Sequence, residues 1–433
     1  MTATHTDTDY PLSEVPESAR KPFASLVMVL LGFTFFTATM FAGGQLGEAF
    51  ALSELITLIV VGNLLLGAYA AVIAFMAARS GLSTALMARF ALGTRGSALS
   101  DLLLGITQVG WYAWGVATIA KVLVSTLGLA PGWTTALMLL FGFGFCLTAV
   151  IGYRGLAWLS NLAVPAMTIL IATSMVIAWR DGGGWQGLAD MTPDGGLGWT
   201  AGITLIFGTF VSGATQASNW SRFARTPRQA VVATLLAFFI GNGLMILIGA
   251  VGAFVYGAPD VVEVLTLQGL TVVGLIMLFL NLWTTQDNTI YNFAAAGCNL
   301  LRTRRRGRVT IAGAAVGTLL ALAGMDTLLV PFLIALGTCI PPLGGVIIAD
   351  FLFARRARYP RLADIALPAF ALPGLVTYAL ATVGAWLSPW LPPLVGIALA
   401  LALYPLCARL LTASSARHGH LAPAAGAARD IPQ

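Results

Sequence analysis

The chain has 433 residues, of which 58% are hydrophobic and 9% charged, with a net charge of +6 and a mean hydropathy of +0.87. Soluble domains carry about 25% charged residues, so a water-soluble domain is excluded and the bilayer is the solvent that fits. A spanning helix takes about 20 apolar residues, which leaves room for about a dozen spans joined by short loops.

Residues 1–22 are polar, contain Pro11, Pro16 and Pro22, and lack the apolar core and small-residue cleavage site of a signal peptide. Hydropathy then places spans at 24–47, 52–78, 100–125, 133–152, 156–179, 199–219, 230–256, 266–298, 309–325, 327–352, 364–386 and 389–410. The split within 309–352 rests on Met325 and Asp326 alone. The tail beyond Arg409, rich in Ala, Ser and His, reads as disordered.

Basic residues orient these spans, because Lys and Arg concentrate in cytoplasmic segments. With the N-terminus inside, the inner segments hold Arg20, Lys21, Arg79, Arg89, Arg95, Arg154, Arg222, Arg225 and Arg228. They also hold the run Arg302, Arg304, Arg305, Arg306 and Arg308, and then Arg355, Arg356, Arg358, Arg361, Arg409, Arg417 and Arg429. Only Lys121 and Arg180 fall outside, each at a span end, while the outer loops carry Glu48, Glu54, Asp181, Asp190, Asp194, Asp260, Glu263 and Asp326. An even number of spans with both termini inside follows. The basic charge is thus a topology signal and a contact for anionic lipid, not a nucleic-acid footprint.

Catalytic and metal chemistry finds little support. Cys146, Cys298, Cys339 and Cys407 lie in apolar stretches without a CxxC spacing, and His5, His418 and His420 lie in the polar tails. The cysteines read as small buried hydrophobes, with neither a disulfide framework nor a zinc site. The sequence shows no catalytic set and no phosphate-binding Gly-x-x-x-x-Gly-Lys loop, so neither an enzyme nor an ATP-driven pump is expected. A passive channel needs a continuous polar pore, whereas polarity here is gathered near the midplane.

Two spans contain interrupted sequence. Glycines and hydroxyls cluster in Gly32–Gly47 of the first span and in Gly202–Gln216 of the sixth. Gly costs a helix about 1 kcal/mol relative to Ala, and unwound backbone survives at membrane depth only when buried in protein or lining a wet cavity. Paired interruptions five spans apart suggest two inverted five-span repeats around a midplane site. Small residues for close helix packing are the competing explanation.

Spans three and eight are the most polar. Asn281, Thr284, Thr285, Gln286, Asp287, Asn288 and Asn292 crowd one span and are expected to face the interior. Asn281, Thr284, Thr285 and Asn288 share one helix face, and oxygens at that spacing suit a hard cation such as Na⁺. Asp287, the one carboxylate clearly deep in a span, reads either as structural glue or as a counter-charge or proton carrier. In span three, Gln108 and Trp111 lie three residues apart. Trp111 and Phe210 offer two aromatic faces to a planar ligand, Gln108 offers a donor and an acceptor to its edge, and freed backbone around Thr209 and Ser212 would add hydrogen bonds.

These stretches resemble the cytosine permease branch of the nucleobase:cation symporter-1 family. The resemblance runs through Ser18–Lys21, Gly32–Gly47, Gly62–Gly67, Thr107–Trp111, Asn281–Asn288 and Ile340–Asp350, in family order across most of the chain. It implies an all-α, twelve-helix, leucine-transporter-like fold: a five-plus-five inverted repeat with two added helices, working by alternating access. The expected division is 1–22 polar tail, 23–179 first repeat, 180–352 second repeat, 353–411 two added helices and 412–433 disordered tail. It also implies secondary active uptake of a nucleobase, cytosine first, with Na⁺ as coupling ion and H⁺ as the alternative. Substrate residues by motif are Gln108, Trp111, Thr209, Phe210, Ser212 and Asp287. Ion ligands by motif are Gly32, Phe36, Asn281, Thr284 and Thr285. The family pattern has Ser at Thr209, Asn at Gln286 and Trp at Phe41. These departures leave other pyrimidines, purines or hydroxymethylpyrimidine open as substrates. A bacterial-type inner membrane location follows, with membrane lipid and the solute as partners and no obligate protein partner evident.

Overall fold

The computed structural model describes residues 9–190, 195–258 and 261–419. Residues 1–8 of the polar tail with His5, the acidic residues Asp194 and Asp260, and residues 420–433 with His420 lie outside the described residues. With no water to satisfy backbone groups inside a bilayer, a spanning chain must close its hydrogen bonds within helices, and the described chain is almost entirely helical.

In chain order the helices are α1 (Phe23–Thr34), α2 (Thr37–Ala49), α3 (Leu52–Ser80), α4 (Thr84–Leu92) and α5 (Ser97–Thr126). Next come α6 (Trp133–Gly144), α7 (Cys146–Ile151), α8 (Tyr153–Asp181), α9 (Gly184–Asp190), α10 (Trp199–Thr215) and α11 (Ser218–Ser221). Then follow α12 (Pro227–Leu235), α13 (Asn242–Tyr256), α14 (Val261–Leu267), α15 (Thr271–Leu300) and α16 (Arg306–Leu322). The chain closes with α17 (Leu329–Ala349), α18 (Leu372–Leu387) and α19 (Pro392–Gly419).

Every expected span coincides with a helix or a helix pair. Among the described residues, seven helices are long and apolar enough to cross a membrane, or eight if the bent pair α1 and α2 is one span. The others fall short for visible reasons. α10 and α16 have 17 residues each and α18 has 16, while the 30-residue α15 carries the polar cluster. The anticipated split around Met325 and Asp326 is present, as a short 3-10 turn between α16 and α17.

Some boundaries move. The eighth span begins at Thr271 rather than 266, because Gly269 turns the chain with φ +75° after α14. The eleventh begins at Leu372 rather than 364. Residues before it run extended beside the α4–α5 turn, where Ala369 O accepts Arg95 N at 2.7 Å and Gly96 N at 3.0 Å. The last helix continues past 411 to Gly419, where a disordered tail was expected.

The packing repeats with a five-span offset. α2 packs along α13, and α10 packs along α3, as an inverted repeat requires of spans one with seven and six with two; α5 packs along α15 at the centre. The α2–α13 contact is close because it is made of small residues. A Cβ at Gly43 or Gly249 would overlap the opposing backbone at Ile246 or Met40. Residues 9–22 are not a loose tail. They lie across one face, where Val15 N bonds Gly81 O at 3.0 Å and Lys21 N bonds Phe223 O at 2.7 Å. This face also gathers the arginine runs and is called the basic face below. The opposite face carries the Lys121–Asp326 ion pair and the 2.6 Å bond from Tyr256 to Asp181.

Candidate functional site

The first span breaks at Phe35 and Phe36, and its halves diverge by 57°. Both residues are extended rather than helical, with ψ of 90° and 127°. The end of α1 therefore leaves carbonyls without intrahelical partners. α15 closes the gap. Asn281 Oδ1 accepts Thr37 N at 2.9 Å and Thr37 Oγ1 at 2.7 Å, tying the start of α2 to the eighth span. One turn on, Thr285 Oγ1 lies 3.1 Å from Phe35 O and 3.0 Å from Asn281 O. Thr284 Oγ1 is 3.0 Å from Asn281 O. Gly32 fits here because a Cβ would meet Ser160 Oγ at 2.6 Å, and Thr284 Cβ lies just beyond. Ser160 Oγ is itself buried without a hydrogen-bond partner.

Four of the five expected ion ligands thus meet around one point: Gly32, Asn281, Thr284 and Thr285. Phe36 is the correction. The carbonyl that reaches Thr285 belongs to Phe35, whereas Phe36 O accepts Thr39 N at 3.1 Å and starts α2. A one-residue shift in an extended break turns the neighbouring carbonyl the other way, and motif spacing does not resolve it.

Beside this point lies a small cavity of about 10 Å³, lined by Phe33, Phe36, Gln108, Trp111, Thr209, Phe210, Ser212, Thr285 and Thr289. Of the six expected substrate residues, five line it. Its walls are aromatic. Phe36 meets Trp111 at 5.4 Å and Phe210 at 6.0 Å, both edge-on, and Phe33 meets Phe210 at 5.1 Å. The space holds about one water, so a planar ring does not fit between these walls as they stand. Trp114 and Phe332 back Trp111 toward one face, and Trp220 lies tilted against Phe33 at 4.6 Å toward the other.

Gln108 is buried, and its Nε2 lies 2.5 Å from Gln216 Oε1 while its own Oε1 has no partner. An unsatisfied buried acceptor is costly, about 1–3 kcal/mol. Gln216 went unnoticed in the sequence although it ends the glycine-rich stretch. It occupies the break of the sixth span, just after α10.

That break corrects a second expectation. α10 runs unbroken through Thr209–Ser212 to Thr215, so the backbone there is helical rather than freed. Ser212 O accepts Gln216 N at 3.1 Å. The hydroxyl of Thr209 donates to Ile206 O at 2.7 Å and accepts Asn242 Nδ2 at 3.1 Å. Gly213 serves packing, since a Cβ there would stand 2.5 Å from the Phe33 ring.

Asp287 is the third correction. It does not line the cavity. Its Oδ2 accepts Thr148 Oγ1 of α7 at 2.9 Å, and its Oδ1 accepts Asn288 Nδ2 at 3.0 Å. With Thr285 and Thr289 facing the cavity four residues apart, position 287 points to the opposite side of α15. The remaining polar residues of α15 serve other neighbours. Asn288 accepts Trp220 Nε1 at 2.8 Å and Asn292 accepts Asn219 Nδ2 at 2.9 Å, holding α11. Gln286 lies against Gly115 of α5 with both amide atoms buried and unpartnered.

Comparison with known proteins agrees with this fold. A family model described as permease for cytosine/purines, uracil, thiamine, allantoin matches residues 14–367. The chain belongs to this family. Cytosine permease of Escherichia coli (strain K12) is 36% identical over 391 residues, covering 90% of this chain and 91% of that one. Hydantoin permease of Microbacterium maritypicum is 24% identical over 372 residues, 78% of this chain and 74% of that one. Among solved structures, Mhp1, a nucleobase-cation-symport-1 family transporter in a closed conformation with bromovinylhydantoin bound, superposes with a TM-score of 0.82. It is 19% identical and covers 93% of this chain and 95% of its own. A Na⁺-coupled sialic acid symporter in a substrate-bound outward-open state matches at 0.64, with 13% identity over 90% of each chain. The family member described here is a polytopic membrane permease with the leucine-transporter-like inverted repeat, and not an enzyme.

Proposed function

We propose that this permease imports a nucleobase, cytosine first, together with Na⁺ by alternating access, through a site between spans one, three, six and eight. The observation that carries the reading is the junction at Thr285. Its hydroxyl touches carbonyls from the broken first span and from α15, and the same residue lines the aromatic cavity. An ion held there and a base held beside it would share one wall, so each favours the arrangement that suits the other.

In this reading Trp111 and Phe210 hold the ring, Gln108 reads its edge with Gln216 beside it, and Thr209 and Ser212 shape the remaining wall. The cation would be held by carbonyls of Gly32, Phe35 and Asn281 and by the hydroxyls of Thr284 and Thr285. Hydroxyl and carbonyl oxygens without a carboxylate suit a hard monovalent ion. Phe36, edge-on to both pocket aromatics, would move as the base enters. The reading includes a bacterial-type inner membrane with the basic face and both termini in the cytoplasm, and repeats at 23–179 and 180–352 followed by helices within 353–411. Homologous names support it, since a cytosine permease is 36% identical over most of its length.

Uptake of labelled cytosine into liposomes holding the purified protein, with and without an inward Na⁺ gradient, tests it. Accumulation that needs Na⁺ is expected. Accumulation driven only by a proton gradient would overturn the ion and move the coupling role to Asp287. No cytosine uptake under either gradient, in folded protein, would overturn the substrate and send the search to other bases.

A further inference from the structure

The arginine run at the start of α16 is larger than orientation alone requires, and it sits between two cavities. The first, of about 950 Å³, opens on the basic face beside the starts of α8 and α16, and Lys21, Arg154, Arg304, Arg305 and Arg308 line it. Its one acidic group is Asp9, and that carboxylate is already engaged. Arg306 Nε lies 3.1 Å away and Tyr153 N lies 3.2 Å away. Of the six cations that line this cavity, Arg306 alone is in an ion pair among the described residues. Like charges gathered in one mouth repel, and a fixed anion would relieve them.

The second cavity, of about 600 Å³, runs along the other flank of α16 against α5 and α15. Apart from Asp101 and Thr303 its wall is apolar, made mainly by Leu102, Ile106, Val109, Phe293 and Val316, and Arg305 and Arg308 form its rim as well. Ile106 is 63% exposed and Val316 46%, so the groove opens to the outside of the bundle rather than into it. One pair of guanidiniums therefore joins an anion-seeking mouth to an apolar groove on the outside of the bundle.

We infer that the start of α16 binds one anionic glycerophospholipid. Its headgroup phosphate sits on Arg304, Arg305 and Arg308 with Lys21 and Arg154 behind, and one acyl chain lies in the α5–α15–α16 groove. Guanidinium groups suit phosphate because they donate in a planar fork, and basic pockets between spans are known headgroup sites. A free phosphate would use the mouth and leave the groove empty; a neutral lipid would use the groove and leave the mouth unneutralised. Arg306 of the same turn donates to Ala149 O at 2.6 Å and Val150 O at 2.9 Å and pairs with Asp9. A lipid bound here clamps α16, α7 and the N-terminal segment together.

The test uses full-length protein in detergent and four probes: phosphatidylglycerol, phosphatidylcholine with the same chains, glycerol 3-phosphate and inorganic phosphate. Phosphatidylglycerol is expected to raise Tm by several degrees and to survive in native mass spectra, while the other three do neither. The triple variant Arg304→Gln, Arg305→Gln, Arg308→Gln is expected to bind phosphatidylglycerol at least tenfold more weakly. Arg356→Gln, Arg358→Gln, Arg361→Gln, on the same face but away from both cavities, is expected to bind it as the parent does. Equal binding by the first triple variant, or an equal effect from phosphatidylcholine, overturns the inference. A full effect from glycerol 3-phosphate or phosphate alone overturns the acyl-chain part and leaves a simple anion site. If the triple variant fails to fold, the parent protein's choice between phosphatidylglycerol and phosphatidylcholine decides the matter.

Discussion

Replacing Thr285 by Ala removes the one hydroxyl that touches carbonyls on both sides of the proposed ion position, 3.1 Å from Phe35 O and 3.0 Å from Asn281 O. A hydroxyl carries a single proton, so in the structure it donates to only one of these at a time. With a cation present, its lone pairs and both carbonyls turn to the ion instead. Losing one charge-assisted contact of this kind costs about 1.5–3 kcal/mol, and about 1.4 kcal/mol is a factor of ten. The Na⁺ concentration for half-maximal uptake is therefore expected to rise about 10- to 100-fold. Thr285→Ser keeps the oxygen and is expected to stay within a few-fold of the parent. The assay is initial cytosine uptake into proteoliposomes across a Na⁺ titration, with cytosine binding measured in parallel at zero and saturating Na⁺. Linkage requires that the Ala variant also lose most of the Na⁺-induced tightening of cytosine. An unchanged Na⁺ response in folded Thr285→Ala protein would refute the reasoning and place the ion elsewhere.

Other outcomes follow from the same geometry. Trp111→Ala removes one aromatic face, and stacking on a base is worth about 1–3 kcal/mol, so cytosine affinity measured by binding should fall about 5- to 100-fold with the protein still folded. Gln216→Ala leaves Gln108 without its 2.5 Å partner. Competition binding should then show cytosine losing its advantage over other pyrimidines by about tenfold, the scale of one buried hydrogen bond. Asp9→Asn strips the carboxylate from Arg306, a pair only 5–7% exposed. Breaking such a pair costs about 3–5 kcal/mol, so Tm should fall by several degrees, and adding Arg306→Gln should recover part of the loss in a double-mutant cycle. Gly43→Leu drives a side chain into the Ile246 backbone and is expected to abolish folded, monodisperse protein on size exclusion.

Much of this protein could be read without coordinates because the bilayer allows so few structures. Apolar runs placed the spans, and the polar crowding from Asn281 to Asn292 put the buried face of α15 inside the bundle, as observed with every one of those polar side chains buried. Glycines misled more than they helped. In the first span the unwound residues are Phe35 and Phe36, with no glycine between α1 and α2, and in the sixth the helix passes straight through Gly208 and Gly213 to break at Gln216. Glycine only lowers the cost of a break. Where the break falls depends on which partner satisfies the freed backbone, and that partner is Asn281, 244 residues away from Thr37.

What the sequence determined by itself was the solvent, the helical class, the approximate spans and the inventory of polar groups available inside. Hydropathy and helix period are local properties, so they survive without tertiary knowledge. Tertiary structure decided which carbonyl faces Thr285, that Asp287 turns to Thr148 instead of the cavity, that Gln216 meets Gln108, and that Asp9 pairs with Arg306 of the arginine run. Each of these depends on the rotation of one helix against another. Successive residues on a helix point about 100° apart, so a shift of a single position moves a group from the site to another face of the bundle.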